Sequence, residues 1–406
     1  MAQPLPRLRN NLDFMPSPVT DRPGLLIRDP YRYSDVTLII PPLLIQALEC
    51  LDGEHTELDL KAVLVQLTGD LQVTELTNHL IGTLSDSGFL EDEKFERLKE
   101  QRQREFGSAP KRSPVHAGNA YPVDLEPLRS TLSRYMDGAQ NAAQYDGLIG
   151  IAAPHVSPEG GWRSYQAAYS MLTPACRDRT FVVLGTSHYG EPERFGLTRK
   201  PFVTPLGESP VNVALVDWLE QKAAPAIQME DYCHAVEHSI EFQVLFLQHI
   251  YGAGIRILPI LCGPYAHSIY LGGRPEAHDG VRRFLEALAE LAAREAGRLF
   301  WVLGIDMAHI GRRYGDSFTA RADQGAMVEV NARDQGRIDR VAVGDAEGFW
   351  NLVQEKRDDL RWCGSSPLYT FLKAVPQARG RLLRYEQWNI DEQSVVSFGG
   401  MAFATA

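Results

Sequence analysis

Four short, almost unbroken apolar runs constrain this chain more than any other feature: residues 148–153, 180–184, 255–261 and 299–303. Each closes on Gly, Pro or Ser/Thr. A strand with one wet face alternates apolar and polar residues, whereas a strand buried on both faces reads as a continuous apolar run. Stretches of helical periodicity separate the runs, over 162–172, 211–222, 236–251 and 280–295. This alternation of strand, loop and helix predicts a layered α/β domain. Two further runs, 381–385 and 394–398, predict strands near the end.

At 406 residues the chain exceeds what one hydrophobic core usually holds, so two domains are expected. The boundary lies where the sequence reads EDEKFERLKEQRQREFGSAPKRSP, a charged helix running into Gly, Ser and Pro. The expected division is a small domain over 1–90, a charged helix and linker over 91–112, and the α/β domain over 113–406. The small domain reads as strands at 24–28 and 36–40 and helices at 43–51, from 56 onward with Thr56 as N-cap, and at 73–84. That set predicts a winged-helix-like α+β unit.

With 52 acidic against 41 basic residues, the net charge of −11 disfavours general binding to nucleic acid or an anionic membrane. The early apolar stretch 36–48 contains Pro41 and Pro42 and is too short to span a bilayer. No secretory leader is expected from the first residues. Five cysteines, Cys50, Cys176, Cys233, Cys262 and Cys363, are scattered without a C-x-x-C pair, so a reducing, cytoplasmic setting is expected.

The polar residues follow the strands. His155 comes just after the first apolar run, His188 after the second, Cys262 after the third, and Asp306 with His309 after the fourth. Ligands of open α/β sheets bind beyond the carboxyl ends of strands, so one shared pocket is expected there. His155 and His188 form a candidate metal pair, since imidazole is a common nitrogen ligand. His238 and Glu241 stand three apart near the predicted start of a helix, so Glu241 is expected to orient the His238 ring. Asp306 is a candidate proton acceptor or a helix cap. The stretch His234–His238 also matches H-x-x-E-H, which on one helix face would make a zinc peptidase with Glu237 as base.

Taken in order, Ala117-Gly-Asn-Ala-Tyr-Pro122, Pro154-His155, Leu184-Gly-Thr-Ser-His188, Thr204-Pro-Leu-Gly207, Glu237-His-Ser-Ile-Glu241, Asp306-x-x-His309 and Cys363-Gly364 resemble the Memo family, in the form known as AmmeMemoRadiSam system protein B. The resemblance implies a fold similar to class III extradiol dioxygenases, with His155 and His188 as metal ligands, His238 as the acid–base histidine, and iron or copper as metal. It places the third ligand at Ala308, which has no donor atom, leaving Asp306 or His309 as substitutes. It also implies a radical-SAM enzyme as a partner. The segment Leu51-Asp-Gly-Glu-His-Thr56 with Ser87-Gly-Phe-Leu90 resembles PqqD-like domains, which implies that the N-terminal part holds a peptide. Non-catalytic scaffolding of such partners is the alternative function.

Overall fold

The computed structural model describes residues 3–138 and 145–405. The chain divides into two compact units, Met1–Ala109 and Pro110–Ala406.

In the smaller unit, strands Asp13–Pro16, Leu25–Arg28 and Thr37–Ile40 form an antiparallel sheet in that order. Helices Glu57–Thr68, Thr74–Asp86 and Glu93–Ser108 complete it. Thr56 caps the first helix in a reciprocal box with Asp59, as its residue type favours. Ile27, Leu60, Leu64, Leu84 and Phe89 form the core. Arg9 is buried there and pairs with both oxygens of Asp29, at 3.0 and 3.1 Å. The strand Asp13–Pro16 is one more than expected. Residues 43–51 make two 3-10 turns, Pro42–Leu44 and Gln46–Cys50, instead of one α-helix.

The larger unit is a mixed α/β domain around a nine-stranded sheet. Its centre is four parallel strands in the spatial order Leu148–Ala153, Leu299–Gly304, Thr180–Thr186, Ile257–Cys262. Their registers align Ala153 with Gly304, Gly304 with Gly185, and Thr186 with Cys262, so all four stop at one level. These are the four apolar runs, and all but the first residues of Leu148–Ala153 are buried. A long hairpin, Ala378–Asp391 and Ser394–Thr405, closes one side, pairing antiparallel to Leu148–Ala153. The predicted runs 381–385 and 394–398 cover only part of each hairpin strand. Helices Ala326–Ala342, Ala346–Gln354 and Ser365–Ala374 lie outside the expected elements. Among the described residues, no helix is long and apolar enough to cross a membrane.

The predicted helix over 236–251 is broken. A single turn, Cys233–Val236, stops at Glu237, whose backbone is extended (φ −75°, ψ 140°), and a helix restarts at Glu241 and runs to Tyr251. The intervening turn lies directly on the ends of two central strands. A Cβ at Gly304 would sit 2.1 Å from the Ser239 carbonyl oxygen, and one at Gly185 would sit 2.5 Å from Ser239 Oγ. The two glycines are therefore the space into which the His238 turn fits. Gly304→Ala is expected to cost about 1–3 kcal/mol of stability through overpacking, measured by urea unfolding. A change below ~0.5 kcal/mol would show that the turn does not depend on this close approach.

Candidate metal centre

The loops leaving two of the aligned strands carry His155 and His188, and the turn between Val236 and Glu241 brings His238 to them. One ligand atom from each lies within 4.8 Å of the others. Ring centroids are 4.9 Å apart for His155–His188, 5.1 Å for His155–His238 and 4.9 Å for His188–His238. His155 is buried, whereas His188 and His238 each keep 26% of their side-chain surface exposed, so the cluster is reached from one side.

Every ring is anchored through Nδ1. His155 Nδ1 is 3.0 Å from the Gly304 carbonyl oxygen, which accepts its proton. His188 Nδ1 lies 3.0 and 3.1 Å from the two Glu237 oxygens, and His238 Nδ1 lies 3.1 Å from Glu237 Oε1. A neutral ring that donates from Nδ1 presents Nε2 as its lone-pair nitrogen. One buried carboxylate thus orients two of the rings. Glu237 also accepts the backbone N–H groups of His188, His238 and Ser239, at 2.9, 2.8 and 3.2 Å. Those bonds explain why the helix cannot run through this point: the amides that would continue it are turned toward the carboxylate.

Electrostatics follow from burial and neighbours. Burial, with His188 and His238 nearby, pushes the His155 pKa well below the ordinary imidazole value. Burial alone would do the same to His188, but the Glu237 carboxylate outweighs it and holds that pKa well above. Burial opposes ionisation of Glu237, yet the two imidazoles keep its pKa well below the usual carboxylate range.

Two more side chains border the cluster. Cys363 Sγ is 3.2 Å from His155 Nε2, and its thiol also bonds His188. Burial raises its pKa, against the pull of His188. Asp306 accepts the His155 backbone N–H at 2.9 Å, and its other oxygen is 3.4 Å from His155 Nε2. Burial raises the Asp306 pKa. His116, from the start of the unit, stands edge-on to His238 at 5.6 Å.

Several expectations need correction. Among the described residues, Glu241 makes no hydrogen bond or ion pair with His238. It pairs with Arg112, accepts from the Tyr121 hydroxyl, and takes the backbone N–H groups of Val115 and His116 at 3.1 and 3.0 Å. The helix restarts at Glu241 itself, so positions 238 and 241 do not share a helical face. The zinc-peptidase arrangement fails for the same reason, because the helix ends at Val236, between His234 and His238. His234 Nε2 bonds the Gly196 carbonyl at 3.0 Å, away from the cluster, and burial lowers its pKa to about 4. Among the described residues, His309 stands outside the group of three histidines, with its Nδ1 facing the carbonyls of Met307 and Arg361, both at 3.0 Å. Ala308 is buried, with its backbone bonded to Ser397. The nearby sulfur comes instead from Cys363. In the sequence Cys363 stands out only as part of a motif, and Glu237 only as part of a motif and as a peptidase base. The sole signal there for joining them to the histidines is their place in an ordered motif series.

Comparison with known proteins agrees with that series. The Memo-like protein family matches residues 112–402. A MEMO1 family protein of Aquifex aeolicus is 26% identical over 383 residues, covering 93% of this chain and 95% of that protein. A MEMO1 family protein of Methanosarcina mazei is 30% identical over 277 residues, covering 68% of this chain and 91% of that protein. A solved structure of an uncharacterized Escherichia coli K12 protein, JW3007, is 16% identical, spans 62% of this chain and all of that one, and superposes at a TM-score of 0.36, too low to bear on the site. On the family match and the relatives together, this chain belongs to the Memo-like protein family.

Proposed function

We propose that the larger unit is a mononuclear, non-haem metal protein whose metal is held by Nε2 of His155, His188 and His238, with iron or copper as the metal. The observation that carries this reading is that all three rings spend Nδ1 on a protein oxygen while one ligand atom of each lies within 4.8 Å of the others. Such anchoring fixes the tautomer and ring direction of metal-bound histidines. The donor set fits: iron and copper both accept imidazole, and the thiol of Cys363 beside His155 adds a soft donor. When bound, such a metal supplies Lewis-acid or redox chemistry at its open positions.

The chain's own residues do the rest. Glu237 locks two rings in one orientation. Asp306 fixes the loop of His155 by holding its backbone amide. His238 stands as close to the other two histidines as they do to each other, so its expected acid–base role gives way to that of third ligand. The test is the iron and copper content of purified protein against a His155→Ala/His188→Ala variant. About one metal per wild-type chain and near-background content in the variant are expected. Equal content in both would remove the ligand assignment.

A further inference from the structure

A cavity of about 360 Å³ opens beside the histidine cluster, with His188 and Cys363 in its wall. That volume suits a single-ring organic molecule. Its sides include Tyr265, Trp350 and Trp362. The polar ends of these three rings are already used inside the protein. Trp350 Nε1 donates to Ser268 at 2.7 Å, Trp362 Nε1 to Asp334 at 2.6 Å, and the Tyr265 hydroxyl bonds Thr370 at 2.6 Å. What these rings have left to offer a ligand is therefore apolar ring surface.

The loop 357–361 supplies another side, and its backbone is strained. Arg357, Asp358 and Arg361 take φ values of 53°, 52° and 53°, in the left-handed region that side chains other than glycine disfavour. Clustered strain of this kind persists only where surrounding contacts impose it, and it concentrates at ligand sites. The imposing contacts are visible. Asp358 pairs with Arg337 at 2.8 Å, Arg361 with Asp316 at 2.8 Å, and Asp359 with Arg333. Leu360 is buried. Among the described residues, Arg357 is the charged side chain of this loop with no hydrogen bond or ion pair, and it lines the cavity. Asp358 and Arg361 line it too, but each is neutralised by its partner. A second unmet group lies in the same wall. The Ser365 hydroxyl is buried without a partner, at the N-terminal end of the helix Ser365–Ala374.

We infer that this cavity is the ligand subsite of the histidine centre and takes a small organic carboxylate with a flat, unsaturated body. The body lies against the aromatic walls, Arg357 holds the carboxylate, and Ser365 offers a hydroxyl proton. The inference rests on reading the histidines as the reaction centre, since the cavity borders them. A guanidinium matches a carboxylate with two parallel N–H donors, which an ammonium cannot reproduce. The strained, clamped loop fixes the backbone from which the exposed Arg357 side chain reaches, so the ordering cost of binding is confined to that side chain.

The test is calorimetric titration of wild type, Arg357→Gln and Arg357→Lys with benzoate and with its neutral counterpart benzamide. Benzoate is expected to bind wild type, to weaken at least ten-fold in Arg357→Gln, and to weaken less in Arg357→Lys. Benzamide is expected to bind wild type at least ten-fold more weakly than benzoate. No benzoate binding to wild type, binding to Arg357→Gln within two-fold of wild type, or equal affinity for benzamide would each overturn the inference. Metal content of Arg357→Gln is expected to equal that of wild type. The His155→Ala/His188→Ala variant is titrated alongside. If it keeps full metal, the metal reading fails, while the Arg357 comparison is still decided on its own titrations.

Discussion

Glu241→Gln is expected to lower the stability of the larger unit by about 3–5 kcal/mol, the usual cost of leaving one member of a buried ion pair without its partner. Both partners are sealed from water: the side chains of Arg112 and Glu241 have no exposed surface. Arg112 also donates to the carbonyl oxygens of His234 at 2.8 Å and Glu237 at 2.7 Å, so it ties the start of the unit to the turn that carries His238. Glutamine keeps the size and one acceptor oxygen for Tyr121 and the His116 amide, but it loses the charge and turns an NH₂ group toward Arg112 and the Val115 amide. Urea unfolding measures the loss, and the double variant Arg112→Met/Glu241→Gln is expected to recover part of it, because no buried charge is left unpaired. Burial alone would raise the Glu241 pKa, but Arg112, followed by His116 and Tyr121, brings it below its ordinary 4.5. A group whose pKa is depressed on folding stabilises above its unfolded value and loses that contribution as pH falls through the folded value. Wild type is therefore expected to lose stability below about pH 4.5 more steeply than Glu241→Gln, and parallel acid limbs for the two proteins would contradict this.

Glu237→Gln is expected to weaken metal binding about 10–100-fold, the range seen when a group orienting a metal-bound histidine is removed. The carboxylate accepts from both His188 and His238 through Nδ1 and from three backbone amides. An amide has one acceptor oxygen and an NH₂ group that would face donors, so both rings lose their fixed tautomer. Equilibrium dialysis against iron and copper measures the change, with circular dichroism to check that the fold remains. Affinity equal to wild type would show that the rings are held by packing alone.

The two predictions concern neighbouring glutamates that the sequence does not tell apart. Apolar periodicity runs through both sides of Glu237, from Val236 through Ile240 and Val244 to Leu247, and so reads as one helix. The break there comes from contacts made 49 residues away, where the Glu237 carboxylate takes the His188 amide and ring, and no local pattern encodes that. The four central strands are legible because continuous apolar runs report burial on both faces directly. Since such strands end together, the places of His155 and His188 just beyond them carry meaning from the residues alone. Cys363 is harder, since it approaches His155 from 208 residues away and follows a stretch of charged residues that hides two helices. The long hairpin reads only in fragments, because the strand Ala378–Asp391 is mostly half-buried and carries arginines along its length.

The most direct measurement on the centre is X-ray absorption at the edge of the bound metal, comparing wild type with His238→Ala. Wild type is expected to show imidazole scattering from three rings. The variant is expected to show scattering from two. An unchanged imidazole count in His238→Ala, or a wild-type spectrum without imidazole scattering, would contradict the account.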